Sequence, residues 1–228
     1  FLASMNLTRM GSCRSPLAET WECSTHPDGP SFAASGPMEG QSLRQILRDY
    51  PEYLGQRHRG ERQLPILVKF IDAKKDLSVQ VHPDDGYAKE HEDGQLGKTE
   101  MWYVLDAGKD TKLVYGLKKD CTPEEIRAAL AAGTLSEELQ QVPVKKDDVF
   151  FLEPGTIHAL GAGALVAEIQ ESSNLTYRLY DYDRTDKHGN KRPLHTEKAL
   201  QVANLHGSSA PRQPMRVLKY RQGVASEL

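Results

Sequence analysis

A chain of 228 residues with 38% hydrophobic and 27% charged side chains is long enough to bury a sizeable core and has an ordinary globular composition. Its net charge of −3 excludes a basic field that would gather nucleic acid or a membrane surface, while leaving room for a local basic pocket that binds phosphate. The cysteines Cys13, Cys23 and Cys121 form no CxxC pair, which fits a reducing cytoplasm better than a disulfide scaffold.

Residues 1–40, rich in Ser, Gly and Pro, read as loops and short strands, with Trp21–Pro30 a structural segment. No signal-peptide pattern opens the chain, and its start at Phe1 rather than Met suggests that its true beginning is missing. Leu43, Ile46, Leu47 and Tyr50 fall at helical spacing, which predicts an amphipathic helix over Gln41–Tyr53. Leu64–Asp72 reads as a buried strand, too short and too interrupted by Lys69 to span a bilayer. Leu77–His82 alternates with period two, so Ser78, Gln80 and His82 share one face. Further strands are predicted at Met101–Leu105, Lys112–Tyr115, Asp148–Leu152, Leu165–Ile169 and Thr176–Tyr180. Between them, Thr122-Pro-Glu-Glu125 is a capping box with Pro at the first helical position. A second box at Thr134–Glu137 predicts another helix to about Gln141. A last helix is expected over His195–Leu205. The pattern is that of a mainly β protein, a jelly-roll-like barrel with helical additions, with an insertion over about 122–141.

The residues with most chemistry in them are Gln80, His82, Glu100 and His158. Two imidazoles and a carboxylate suit zinc and other borderline divalent ions, an amide oxygen can add a fourth bond, and the remaining positions stay open to water or substrate. A single histidine is more often a surface or hydrogen-bonded residue, and a spaced His…Glu…His set arises by chance in a chain with eight histidines. Spacing alone therefore leaves both readings standing.

Longer strings go further. Lys69–Asp85 (KFIDAKKDLSVQVHPDD), Gly97–Trp102 (GKTEMW), Gly155–His158 (GTIH) and Glu171–Arg178 (ESSNLTYR) occur in this order. Together they resemble the type I mannose-6-phosphate isomerases, or phosphomannose isomerases, and most of all the short bacterial form. The resemblance runs from roughly Leu17 to Leu205. It implies a cupin fold and a cytoplasmic isomerase that interconverts mannose 6-phosphate and fructose 6-phosphate, with one zinc ion per chain on Gln80, His82, Glu100 and His158. It also implies an active-site Arg178, Glu168 in the pocket as the leading candidate for the base, and Ser78, Lys98 and Lys69 along the substrate site. Each has a plainer alternative: Arg178 as a salt-bridge partner, Lys69 snorkelling from a strand edge, Glu168 paired to a lysine. Lys98 or Arg184 is the expected phosphate anchor. Asp181, Asp183 and Arg184 are expected to hold the barrel rim and support Arg178, while Glu124, Glu125, Lys145 and Lys146 read as helix-start and surface charges.

The chain departs from the family in lacking an early Trp-Gly-Gly string and in carrying Glu153-Pro154-Gly155 where Pro-x-Gly is usual. The family also continues into a second, smaller barrel. The catalytic domain is therefore expected over 1–205, with 206–228 a linker or the start of a truncated domain and Arg216–Tyr220 a strand with an exposed edge. A different metal cupin, such as an iron dioxygenase, and a non-catalytic sugar-binding cupin are the other readings. The expected partner is a sugar phosphate, with no nucleic acid and no membrane.

Overall fold

A computed structural model describes residues 18–207 apart from Arg59 and Arg62. Ten strands follow in chain order: β1 (Glu19–Cys23), β2 (Ile66–Asp72), β3 (Val79–Val81), β4 (Glu100–Ala107), β5 (Lys112–Leu117), β6 (Leu139–Pro143), β7 (Val149–Leu152), β8 (His158–Ala159), β9 (Ala164–Glu171) and β10 (Tyr177–Tyr180). They form two antiparallel five-stranded sheets with orders β1-β2-β9-β4-β7 and β10-β3-β8-β5-β6. The helices are α1 (Leu43–Asp49), α2 (Asp85–His91), α3 (Pro123–Ala132), α4 (Leu135–Glu138) and α5 (Thr196–Val202). None of the helices among the described residues is long and apolar enough to cross a membrane. This is the mainly β architecture expected from the strand pattern, and it agrees with the cupin fold that the resemblance implies.

Alternation sorts the side chains. Ile71, Trp102, Val104, Phe150, Leu152 and Val166 of the first sheet meet Leu113, Val142 and Leu160 of the second in one apolar cluster between the sheets. The outer face of the second sheet is covered instead. There Val79, Val81, Tyr177 and Leu179 pack under Ile126 of α3, Leu135 of α4, and Ala199 and Leu200 of α5. The inward face of this sheet is thereby left to polar residues along part of its length.

The capping box at the start of α3 forms as predicted: Thr122 Oγ1 accepts from Glu125 N–H and the Glu125 carboxylate accepts from Thr122 N–H. The second box does not form. Thr134 makes no side-chain cap, because Gly133, at φ +71°, ends α3 in the left-handed region and the Thr134 N–H closes that turn on the Ala129 carbonyl. The helix expected to reach Gln141 stops at Glu138, since Leu139–Pro143 pairs with β5 as β6. The long first helix is likewise shortened to Leu43–Asp49, capped by Ser42, and the backbone tightens into a 3₁₀ turn at Pro51–Leu54. The strand at Leu77–His82 narrows to Val79–Val81. Helix α2 was not foreseen; Asp84 caps it by accepting from Tyr87 N–H. The expected strand at Arg216–Tyr220 lies outside the described residues.

Candidate active site

Register places the site. In the first sheet Lys69, Glu168 and Trp102 are cross-strand partners on one row, and Glu100 opposes Gln170 on the next row. In the second sheet Arg178 pairs with Gln80 and Gln80 with His158. Residues paired across strands share a face, so these rows look at one another across the interior. Two glycines permit close approach. A Cβ on Gly97 would lie 2.4 Å from the Asp84 carbonyl carbon, and Gly97 N–H bonds to Asp85 Oδ1, which holds Lys98 against the segment after His82. Gly155, at φ +83°, turns the chain before His158 and bonds its N–H to the His82 carbonyl at 2.8 Å.

His82, Glu100 and His158 are buried, and their ligand atoms all lie within 4.8 Å of one another. His158 Nε2 is 3.1 Å from Glu100 Oε1 and His82 Nε2 is 3.6 Å from Oε2. Both rings are oriented from behind: His82 Nδ1 lies 2.7 Å from the Leu175 carbonyl and His158 Nδ1 2.7 Å from the Thr156 carbonyl. Donation from Nδ1 to those carbonyls turns each Nε2 lone pair toward the carboxylate. Lone pairs and a carboxylate crowded together in a buried site call for a cation. Lys98 Nζ stands 2.8 Å from Oε2 as an ion pair, yet both Glu100 oxygens are buried without a hydrogen bond of good geometry among the described residues. The donor set and its orphaned oxygens fit a divalent metal ion. Gln80 lies at the edge, its amide 3.4 Å from His158 Nε2; an amide flip would present oxygen instead.

Electrostatics reinforces the arrangement. Burial, then Lys98, hold the His82 imidazole well below its ordinary value, so it stays neutral and available as a ligand. Burial pushes the Glu100 carboxyl up, but the charge of Lys98 above all outweighs it and keeps it well below the ordinary range. Glu168 behaves oppositely. Burial, and next the Glu100 charge, raise its carboxyl against the pull of Lys98 and Lys69 and the Trp102 hydrogen bond.

A cavity of about 450 Å³ adjoins this group, lined among others by Ser78, Gln80, Lys98, Trp102, Glu168 and Arg178. Lys69 lines it too, 3.7 Å from Glu168 and 3.5 Å from Glu19. It is 5% exposed, so the snorkelling alternative fails. Trp102 Nε1–H donates to Glu168 Oε2 at 2.9 Å, fixing that carboxylate. Arg178 Nε reaches Ser78 Oγ at 3.4 Å and Nη1 the Pro193 carbonyl at 2.9 Å; it has no carboxylate within ion-pair distance among the described residues, so the salt-bridge alternative fails too. The structure thus brings all nine candidate residues to one place. Arg184 is elsewhere: it bonds to Asp181 and the Asp76 carbonyl and lies over the Tyr182 ring. Asp183 pairs with Lys191 at the surface. Tyr180, two residues after Arg178, lines a smaller cavity, because the register slips between the two residues.

Sequence reasoning missed Trp102 and Arg192, both of which line the cavity. Trp102 carried a signal, since it shares a strand face with Glu100 two residues earlier. Arg192 carried none, as it sits on the loop between β10 and α5.

Comparisons with known proteins agree with this geometry. Residues 8–109 match the family described as phosphomannose isomerase type I, catalytic domain. "Probable mannose-6-phosphate isomerase GmuF" of Bacillus subtilis (strain 168) is 46% identical over 187 residues, covering 82% of this chain and 58% of that protein. The crystal structure of the mannose 6-phosphate isomerase from Bacillus subtilis superposes with a TM-score of 0.79 at 37% identity, over 90% of this chain and 64% of that one. A mannose 6-phosphate isomerase bound with zinc and yttrium matches with a TM-score of 0.67 at 17% identity, over 95% of this chain and 74% of that chain, a likeness of fold alone. The chain spans about three fifths of the length of its curated relative. Over residues 8–109 the chain carries the pattern of the type I phosphomannose isomerase catalytic domain, and over four fifths of its length it is similar to proteins named mannose-6-phosphate isomerase.

Proposed function

We propose that the protein is a metal-dependent aldose–ketose isomerase that interconverts mannose 6-phosphate and fructose 6-phosphate. The observation that carries this is the buried His82–Glu100–His158 group, with its unsatisfied carboxylate, beside a cavity that also holds Glu168 and Arg178. His82, Glu100 and His158 would hold one zinc ion per chain, with the Gln80 amide oxygen as a fourth ligand; the nitrogen and oxygen donors and the zinc in a distant fold neighbour support that choice. When bound, the ion supplies Lewis acidity at the oxygen that becomes negative, worth several kcal/mol by typical magnitudes.

The remaining work falls to the chain. The reaction moves a proton from C2 of the aldose to C1, by way of an enediolate, and a second proton between the two oxygens. Glu168 is the proposed base. Its buried carboxyl is raised, so it can both take and return a proton, and Trp102 fixes its orientation. Lys98, between Glu100 and Glu168, and Arg178 place positive charge where the enediolate oxygens develop. Lys69 balances Glu168, and Ser78 accepts from Arg178 and holds it in the wall. Free Cys23 and Cys121 are compatible with the cytoplasmic setting we propose.

The test is a coupled isomerase assay with metal analysis, run before and after chelation. Activity that falls with zinc content and returns when zinc is restored supports the reading. Absence of ketose formation from the zinc-loaded chain refutes it, and iron with oxygen uptake would mark a dioxygenase instead.

A further inference from the structure

Strand β10 and the loop that follows it bring three guanidinium groups near one carboxylate, two of them bonded to it. Asp181 is 5% exposed; Arg192 grips it with Nε on Oδ2 at 2.8 Å and Nη2 on Oδ1 at 2.6 Å, and Arg184 bonds to the same group. Arg184 is further engaged, with Nε on the Asp181 carbonyl and Nη1 on the Asp76 carbonyl. Arg192 is not. Its side chain is 53% exposed, it lines the larger cavity with Arg178, and its Nη1 makes no hydrogen bond among the described residues. Arg178 likewise has Nη2 without a hydrogen bond there.

Charge does not balance at this edge. Arg178, Arg184 and Arg192 outnumber the carboxylates beside them, Asp181 and Asp76, since Asp183 is paired with Lys191. The excess of positive charge suits a phosphate monoester, which carries about two negative charges near neutral pH. The other cavity cations are already matched: Lys98 by Glu100 and Glu168, Lys69 by Glu168 and Glu19. They are also enclosed, whereas Arg192 stands at the open side. A guanidinium fork suits two phosphate oxygens at once.

We propose that Arg192 is the phosphate-binding edge of this cavity. It takes the terminal phosphate of a sugar phosphate whose reacting carbons lie toward His82, Glu100 and His158. The assignment rests on the isomerase reading for the rest of the substrate, but not for the phosphate itself. Asp181 presents Arg192 and is not replaced by the ligand.

The test uses the zinc-loaded chain and its Arg192→Ala and Arg192→Lys variants. Inorganic phosphate is titrated by calorimetry, and KM and kcat are measured with mannose 6-phosphate and with unphosphorylated mannose. Loss of one charge-assisted fork predicts phosphate affinity weakened about tenfold or more in Arg192→Ala, with Arg192→Lys between it and the parent. KM for mannose 6-phosphate should rise by a similar factor, exceeding any fall in kcat, while kcat/KM for mannose should move far less. Equal phosphate affinity in all three proteins overturns the proposal. So does a fall in kcat/KM of the same size for both sugars, which would assign Arg192 only to holding Asp181. If Arg192→Ala loses its thermal transition, Arg192→Lys, which keeps the charge beside Asp181, decides alone. Failure of the isomerase reading shows separately, as no ketose formed by the parent, and leaves the calorimetric result to stand.

Discussion

The two faces of the β10-β3-β8 row share one backbone and have opposite chemistry. Outward, Val79, Val81, Tyr177 and Leu179 sit beneath α3, α4 and α5 in an apolar layer. Inward, Gln80 and Arg178 line the cavity, and His158 meets Glu100 of the facing sheet. The outward face works by volume and area, so substitutions there are felt as stability. The inward face works by orientation, so substitutions there are felt as metal content and turnover. The difference shows how two adjacent residues of one strand, such as Arg178 and Leu179, come to serve unrelated ends.

The comparison can be broken in several ways, the largest effect first. Replacing His158 by Ala should remove most bound zinc and lower activity by roughly 10³ or more, given several kcal/mol of lost Lewis acidity; a variant that keeps full metal content contradicts the ligand assignment. Next, Arg178→Lys keeps the charge and loses the fork. It should lower kcat about 10²-fold, the scale of one preorganised donor, with zinc content and melting temperature close to the parent's. A stability loss with normal turnover in the folded fraction would reverse the contrast. On the outward face, Leu179→Ala should cost about 2–5 kcal/mol of stability while the folded fraction keeps its zinc and its kcat.

The smallest effect concerns pH. Burial pushes the Asp181 carboxyl up, and Arg192 and Arg184 more than reverse this, leaving it below its ordinary value. A depressed folded-state value means stabilisation that is fully present above the unfolded-state value near 4 and lost as pH falls through the folded-state one. Melting temperatures of the parent and of Asp181→Asn should therefore differ most at neutral pH and converge below about pH 4. A constant gap across that range would show that Asp181 acts through shape rather than charge.

Part of the site was legible because strand alternation is local: Ser78, Gln80 and His82 could be placed on one face residue by residue. Lys69, Lys98, Glu168 and Arg178 came only through the resemblance of longer strings. What could not be read was register, which is non-local: nothing in the sequence says that Lys69, Glu168 and Trp102 form one row. The false capping box at Thr134 failed for a related reason, since the preceding helix had already claimed its N–H. Helix α2 hid behind Gly86, a poor helix former that its Asp84 cap and tertiary packing override. The bulge that turns Tyr180 away from Arg178 breaks the period on which alternation depends.

Helix α5 ties these parts together in a way that bears on motion. At its start, His195 receives Arg178 N–H on Nδ1 at 3.1 Å and returns its own N–H to the Arg178 carbonyl at 2.7 Å. Beyond its end, Asn204 N–H bonds to the carbonyl of Gly155, whose turn carries His158. One short helix thus brackets both the arginine strand and the turn that leads into the candidate metal centre. Peeling it from the sheet would release both together, so the site opens as a single cooperative unit. The amides of His195 and Asn204, nine residues apart in sequence, should show one common opening free energy in hydrogen exchange.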